Sequence, residues 1–142
     1  MRTAVIEAVV ILAAASVAFA GDQLDDAYGR AEAAVCQATA DVQGLDPRPW
    51  APQYEQFRLT AAATLQSAEE YLTTADTERA KARHWLAEYQ RFTKLRDYRN
   101  ASAAAFTYQV AWQACLDASA EAERRALGSS ACVRSAWLSI GQ

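Results

Sequence analysis

The chain has 142 residues, of which 52% are hydrophobic and 22% charged, and its formal net charge is −3. This length is enough for one domain with a hydrophobic core. The small negative charge gives no general attraction to nucleic acid or to an anionic membrane, so we expect no nucleic-acid partner.

The first twenty residues are predicted to be a signal peptide. Arg2 supplies a positive n-region, Ala8 to Val17 is an apolar run, and Ala18-Phe19-Ala20 fits a small-x-small cleavage site. The apolar run is shorter than a standard membrane span. We therefore expect cleavage after residue 20, which leaves residues 21–142 as a single helical domain without stable membrane insertion. An uncleaved anchor is the alternative.

The composition also suggests a compartment. The chain is rich in alanine and uses arginine more than lysine, and together with a short signal peptide this favours a bacterial protein. A cleaved bacterial signal peptide implies the periplasm or the medium. We therefore expect a periplasmic or secreted protein.

Few helix breakers interrupt the rest of the chain. There is no glycine between Gly44 and Gly128 and no proline after Pro52. The sequence predicts helix A from near Asp22 to Gly44, with apolar residues at alternating steps of four and three, a spacing typical of a bundle seam. These apolar residues are Leu24, Tyr28, Ala31, Val35, Ala38 and Val42.

The segment "LDPRPWAP", residues 45–52, is predicted to be a stiff connection because three prolines exclude helix inside it. Further breaks are predicted at "TTADT" and "YRNAS", where Thr, Asp and Asn favour caps, with Asn100 as one cap. A last break is predicted at Gly128. The resulting helices are B (about 53–74), C (about 77–96), D (about 101–127) and a short final helix (about 130–140).

Four long segments with short links predict an all-α fold, most simply an antiparallel up-down four-helix bundle. The alternative is a long helical hairpin with a short C-terminal helix, in which B and C, or C and D, are continuous. The sequence leaves both arrangements open because "TTADT" and "YRNAS" are weak breaks.

The stretch from Arg83 to Asn100 is a local positive patch with five basic and two acidic residues. On a helical wheel one side carries Trp85, Tyr89, Phe92 and Leu95, and the opposite side carries Arg83, Arg91 and Lys94. Arg96 and Arg99 would fall on the apolar side of a straight helix, which is a reason to expect the break near residues 96–100. Binding of single-stranded nucleic acid needs cations and aromatic rings on one exposed face. We interpret the stretch as a core helix whose solvated face is a possible interaction surface, formed by Arg83, Arg91 and Lys94.

His84 is the only histidine of the chain, and it could act as a general base or bind a metal ion. Glu88, one turn away, is its only local carboxylate partner. The chain has no CxxC or HxxxH pair and no Gly-rich phosphate loop. We therefore expect no metal, no cofactor and no enzymatic activity, and interpret His84 as a half-exposed residue.

Three cysteines, Cys36, Cys115 and Cys132, are disulfide candidates because exported proteins commonly contain disulfides. In the antiparallel bundle, Cys36 and Cys115 would lie about three residues apart along the axis, or about 4.5 Å, which favours this pair. A Cys115–Cys132 pair stays open. The odd thiol could join two chains, so a disulfide-linked homodimer is a further hypothesis.

Trp50 lies between two prolines and is the best candidate for a contact residue. An aromatic anchor on a stiff loop suits a protein interface. The alternative is that Trp50 folds over the end of the bundle.

Three segments carry a resemblance to a known family: "RAEAAVCQA", "PWAPQYEQFRLTAAATLQSAEEYL" and "ADTERAKARHWLAEY". Their order resembles an Ala-rich helical-hairpin domain of unknown function found in bacterial envelope lipoproteins. The resemblance covers about residues 30–89 and rests on the alanine spacing and on "WAP". The chain lacks the lipid-bearing cysteine of that family. The family has no known activity, so the resemblance implies only an envelope location.

These observations favour a non-enzymatic exported helical protein that binds or scaffolds another envelope or secreted protein. The alternative is a small-ligand or inhibitor-type binding module that uses a bundle groove or the Trp50 loop. A small-ligand module would be expected to form an apolar pocket among Trp85, Tyr108 and Trp112.

Overall fold

The computed structural model describes the backbone of residues 2–48 and 50–141 and the side chains of residues 22–48 and 50–141. It contains three α-helices, and the described residues form no strand. The all-α class is therefore confirmed, but the four-helix bundle and the hairpin with a short C-terminal helix do not match a structure of three helices. The helices are α1 (Arg2–Gln43), α2 (Pro52–Lys94) and α3 (Tyr98–Ser139).

The predicted signal peptide falls on residues 1–20, whose side chains lie outside the described residues. Helix α1 begins at Arg2 rather than near Asp22, and it ends at Gln43, directly before the predicted end at Gly44. The Gly44 amide donates a hydrogen bond of 3.0 Å to the carbonyl of Ala40, which closes the last turn.

The three helices run up, down and up, so α1 is parallel to α3 and antiparallel to α2. Three hydrophobic clusters at successive levels fix this register. We call the end with the turn Leu95–Asp97 the apex, and the end with residues 44–51 the loop end. From the apex side to the loop end, the clusters contain Leu24, Ala82 and Ala111; then Val35, Leu65 and Ala126; then Leu45, Tyr54 and Val133.

Alanine occupies the buried surface of α2 at intervals of seven residues, which return to the same side of a helix after two turns. Opposite it, the Ser129 hydroxyl of α3 donates a hydrogen bond of 2.7 Å to the backbone carbonyl of Ala61. A side chain as short as serine reaches a neighbouring backbone only where two helices lie close together. The close packing therefore depends on small side chains. The four fully buried alanines of α2 are Ala61, Ala68, Ala75 and Ala82.

The predicted break at "TTADT" is wrong, because α2 runs through it. The hydroxyls of Thr73, Thr74 and Thr77 each donate a hydrogen bond to the carbonyl four residues earlier, at 3.0 to 3.2 Å. These threonines are exposed, whereas Ala75 between them is fully buried. Burial of the alanine face outweighs the preference of threonine for caps.

The predicted helix end at Gly128 is also wrong, and the short final helix is part of α3. The two serines that follow Gly128 bond to both neighbouring helices, because Ser130 donates a hydrogen bond of 2.6 Å to Asp41 of α1 while Ser129 bonds to α2. These bonds offset the cost of glycine in a helix, which is about 1 kcal/mol.

The turn at the apex is close to its predicted position. Asp97 rather than Asn100 caps α3, since the Asp97 carboxylate accepts a hydrogen bond of 3.3 Å from the backbone amide of Asn100. Arg96 adopts φ 57°, a left-handed conformation that lets two long helices reverse direction over three residues.

Candidate functional site

An exposed tryptophan is held in place at the loop end. Trp50 is 55% exposed, and the Arg48 guanidinium lies over its ring, 5.2 Å from the ring centroid. The same guanidinium donates to both carboxylate oxygens of Asp46, with an Nη2 to Oδ2 distance of 2.6 Å. These bonds lower the pKa of Asp46 to about 2, so the carboxylate stays ionised at ordinary pH. Trp50 is therefore presented to solvent, not folded over the bundle end.

Tyr54 fastens this loop to the bundle. Its side chain is fully buried, and its hydroxyl donates a hydrogen bond of 2.8 Å to the carbonyl of Asp46. Its ring meets Trp137 edge-on, with the ring centroids 6.0 Å apart. Burial raises the pKa of Tyr54, which keeps the hydroxyl protonated as a donor.

A shallow groove of about 460 Å³ lies at the same end of the bundle. Gln53 and Phe57 of α2 line one side, and the last turn of α3 lines the other, where Leu138 is 72% exposed. We call Trp50, Gln53, Phe57 and Leu138 the loop-end surface. Its aromatic and aliphatic side chains give it the composition of a protein contact.

The opposite end of the bundle is basic. The turn between α2 and α3 exposes Leu95 and Tyr98, 66% and 48% respectively, among the exposed cations Lys94, Arg96 and Arg99. We call these five residues the apex surface. The helical wheel placed Leu95 on the core side, which is wrong because α2 ends at Lys94 and Leu95 lies in the turn.

The basic positions predicted from sequence divide into paired and unpaired residues. Arg83 pairs with Asp25 of α1 at 3.1 Å, and Arg91 pairs with Glu88 at 2.6 Å. The hydrogen bond from Arg91 lowers the pKa of Glu88. Lys94 has no ion pair within the described residues. Arg91 therefore has its own carboxylate, whereas Arg83 shares Asp25 with Arg79, which lies 3.6 Å from it. The cations of this stretch without an ion pair within the described residues lie closer to the apex.

The prediction of a core helix from Arg83 onward is correct only in part. Trp85 and Leu86 pack against the cluster that contains Leu24 and Ala82, but they remain half-buried. No described residue of α2 beyond Ala82 is fully buried. Trp85 and Trp112, which a small-ligand module was expected to arrange around a pocket with Tyr108, pack against the cluster that contains Tyr108.

A small groove of about 220 Å³ lies beside Asp22, Leu24 and Asp25 of α1. Asp25 and Arg79 line it on one side and Tyr108 on the other. Tyr108 is only 4% exposed, and its hydroxyl has no hydrogen-bond partner within the described residues. A buried hydroxyl without a partner is costly, so this position is unexpected in a purely structural core.

We expect Tyr108→Phe to stabilise the protein by about 1 kcal/mol, because it removes a buried hydroxyl that forms no hydrogen bond. Thermal unfolding would show a higher melting temperature than wild type. Tyr89→Phe, at a half-buried position, is the matched control and should change little. A lower melting temperature for Tyr108→Phe would show instead that the hydroxyl binds something.

The three cysteines are free in the structure, so the predicted Cys36–Cys115 disulfide is not formed. The prediction assumed antiparallel helices, whereas α1 and α3 are parallel. Cys115 lies at the level of Leu24, whereas Cys36 lies twelve residues further along α1, or about 18 Å along the axis. Cys115 is buried, which raises its pKa, Cys132 is half-buried, and Cys36 is exposed.

His84 is exposed, and its ring meets Trp85 edge-on at a centroid distance of 5.2 Å. The described residues contain no group of three or more His, Cys, Asp or Glu side chains that could hold a metal ion.

Comparison with known proteins adds no assignment. No family model matches the chain. No curated protein and no solved structure is significantly similar to it.

Proposed function

We propose that the chain is an exported, non-enzymatic helical protein that binds another protein of the bacterial envelope or medium through the loop-end surface. The observation that carries this proposal is the exposed Trp50, which Arg48 and Asp46 hold in one position. Tryptophan and arginine dominate the hot spots of protein interfaces. An ordered loop also loses little conformational entropy on binding, which favours affinity.

The proposed location outside the cytoplasm is supported by the sequence. The predicted signal peptide at residues 1–20 and the resemblance to an envelope lipoprotein domain both support a periplasmic or secreted protein. The non-enzymatic character is supported by the lack of a catalytic motif in the sequence and by the exposure of His84.

Site-specific photo-crosslinking in the native host tests the proposal. A benzophenone amino acid at Gln53, on the loop-end surface, should give a discrete crosslinked adduct, whereas the same probe at Gln66, an exposed position in the middle of α2, should give none. Mass spectrometry would identify the adduct, and the purified pair would then be tested for binding. Trp50→Ala should lower the affinity of this pair about tenfold or more.

Two controls make the test decisive. The melting temperature of Trp50→Ala should stay near that of wild type, because substitutions at exposed positions usually change stability by about 0.5 kcal/mol or less. Equal adducts at Gln53 and Gln66, or an affinity that does not respond to Trp50→Ala, would contradict the proposal.

Small-ligand binding is the alternative, and the unpartnered Tyr108 hydroxyl is the observation that favours it. A ligand that accepts or donates one hydrogen bond would satisfy this hydroxyl in the groove beside Asp25 and Arg79. Native mass spectrometry of protein purified from its host would show a bound mass, and Tyr108→Phe would lose it.

A disulfide-linked homodimer is a further proposal for the partner, and it would use Cys36, which is the exposed thiol. Cys115 is unsuited to such a link because it is buried. The intact mass without reductant should then be doubled, and Cys36→Ser should restore the single mass.

A further inference from the structure

The apex surface carries three cations without an ion-pair partner within the described residues. Lys94, Arg96 and Arg99 lie within six consecutive residues and are all exposed. The nearby carboxylates are already engaged, because Glu88 pairs with Arg91 and Asp97 caps α3. Three cations thus outnumber the single carboxylate of Asp97 in residues 94–99, and an acidic protein carries net positive charge at this end.

Two exposed apolar side chains are interleaved with these cations. Leu95 lies between Lys94 and Arg96, and Tyr98 lies directly before Arg99. Aliphatic and aromatic side chains flanked by Lys and Arg suit the interface of an anionic bilayer, where the apolar groups enter the headgroup region and the cations contact phosphate. In the chain without residues 1–20, the turn is the projecting tip of a hairpin, so it can approach a flat surface without a complementary cavity.

The apex extends beyond the part of α1 that remains after the predicted cleavage. Leu24 packs at the level of Ala82, so α1 enters the bundle from the apex side. From that level α2 continues for twelve residues to Lys94, about 18 Å further.

We propose that the apex surface binds the anionic headgroups of a phospholipid bilayer. Lys94, Arg96 and Arg99 contact the lipid phosphates, and Leu95 and Tyr98 enter the interface. This binding is peripheral, and within the described residues no helix has the length and apolarity to cross a membrane. It is independent of the loop-end surface, which lies at the opposite end of the bundle.

Sedimentation with phospholipid vesicles tests the proposal, using the chain as its host exports it. Wild type should bind phosphatidylglycerol vesicles and not phosphatidylcholine vesicles, and 0.5 M salt should release it. The double variant Lys94→Gln/Arg99→Gln should bind about 25-fold more weakly, since each cation near an anionic surface contributes about fivefold. Leu95→Ser should weaken binding about fivefold through lost apolar burial.

The matched control is Arg30→Gln/Arg134→Gln, which removes two exposed cations away from the apex and gives the same net charge. It should bind like wild type, and so should Trp50→Ala, which separates this proposal from the function of the loop-end surface. Equal binding to both lipids, or equal losses in the two double variants, would overturn the proposal. The proposal would also be overturned if wild type does not bind phosphatidylglycerol vesicles and the double apex variant loses a crosslink to another protein. The partner of the apex surface would then be an acidic protein.

Discussion

Replacing Tyr54 with alanine is expected to lower the free energy of unfolding by about 3–5 kcal/mol, the range measured when buried aromatic side chains are removed. Tyr54 is fully buried in the cluster that joins α2 to Val133 of α3 and to Leu45. The substitution leaves a cavity there and also breaks the hydrogen bond to the Asp46 carbonyl. Urea denaturation followed by circular dichroism gives the free energy directly.

Two further variants separate the contributions of Tyr54. Tyr54→Phe keeps the ring and loses only the hydrogen bond, so its cost should be about 1 kcal/mol. Tyr98→Ala removes an exposed ring at the apex and should change stability little. If Tyr54→Ala costs no more than Tyr54→Phe, the ring does not pack as described.

Tyr54 also connects the stability of the bundle to the presentation of Trp50. The loop is held by the hydrogen bond from Tyr54 and by the bidentate contact between Arg48 and Asp46. Loss of the Tyr54 hydroxyl would leave the bundle folded but release one of these two attachments. The loop is therefore held in place by the core beneath it. A substitution of Tyr54 would alter both the packing of that core and the loop-end surface.

Several elements of the fold follow from local sequence patterns. The steps of three and four residues between Leu24 and Val42 predict the buried face of α1, and the prolines around Trp50 predict the loop after it. Both signals are local, because amphipathic spacing and the conformational limits of proline act within a few residues. They identify which residues are buried, but not how many helices the chain forms.

The number of helices depends on contacts between segments that are distant in sequence. Ser129 bonds to Ala61, 68 residues away, and Ser130 bonds to Asp41, 89 residues away, so the helix continues past Gly128. No local pattern around Gly128 contains this information. The wrong direction of α3 relative to α1 then produced the wrong disulfide prediction, since the register of Cys36 and Cys115 depends on it.

Contacts between distant residues also decide which basic residues of the surface stay unpaired. Sequence identifies a positive stretch, but Arg83 pairs with Asp25, a residue 58 positions away, and shares it with Arg79. Arg91 is neutralised by Glu88, which the i,i+3 spacing could have indicated. The segment that forms the apex surface, "KLRDYR" at residues 94–99, was not singled out from the sequence. In it, cations alternate with Leu95 and Tyr98 across a turn.

Replacing Ala68 with leucine is expected to destabilise the protein by about 3 kcal/mol, at the upper end of the usual cost of overpacking. Ala68 is fully buried among Val35, Leu65 and Ala126, which belong to all three helices. Three added carbon atoms cannot fit between helices that approach as closely as the bond from Ser129 to Ala61 requires. The helices would have to separate, which would expose the clusters on both sides of that level.

The matched control is Ala80→Leu, on an exposed face of the same helix. Both substitutions add the same atoms and change helix propensity equally, so the difference between their unfolding free energies isolates the packing cost. Ala80→Leu should stay within about 0.5 kcal/mol of wild type. Equal stabilities for the two variants would mean that the seven-residue alanine repeat does not set the helix spacing, and that α2 and α3 could accommodate larger side chains. A large difference would instead show why this chain uses alanine so heavily: its long helices have few large core residues, and close contact between small ones replaces them.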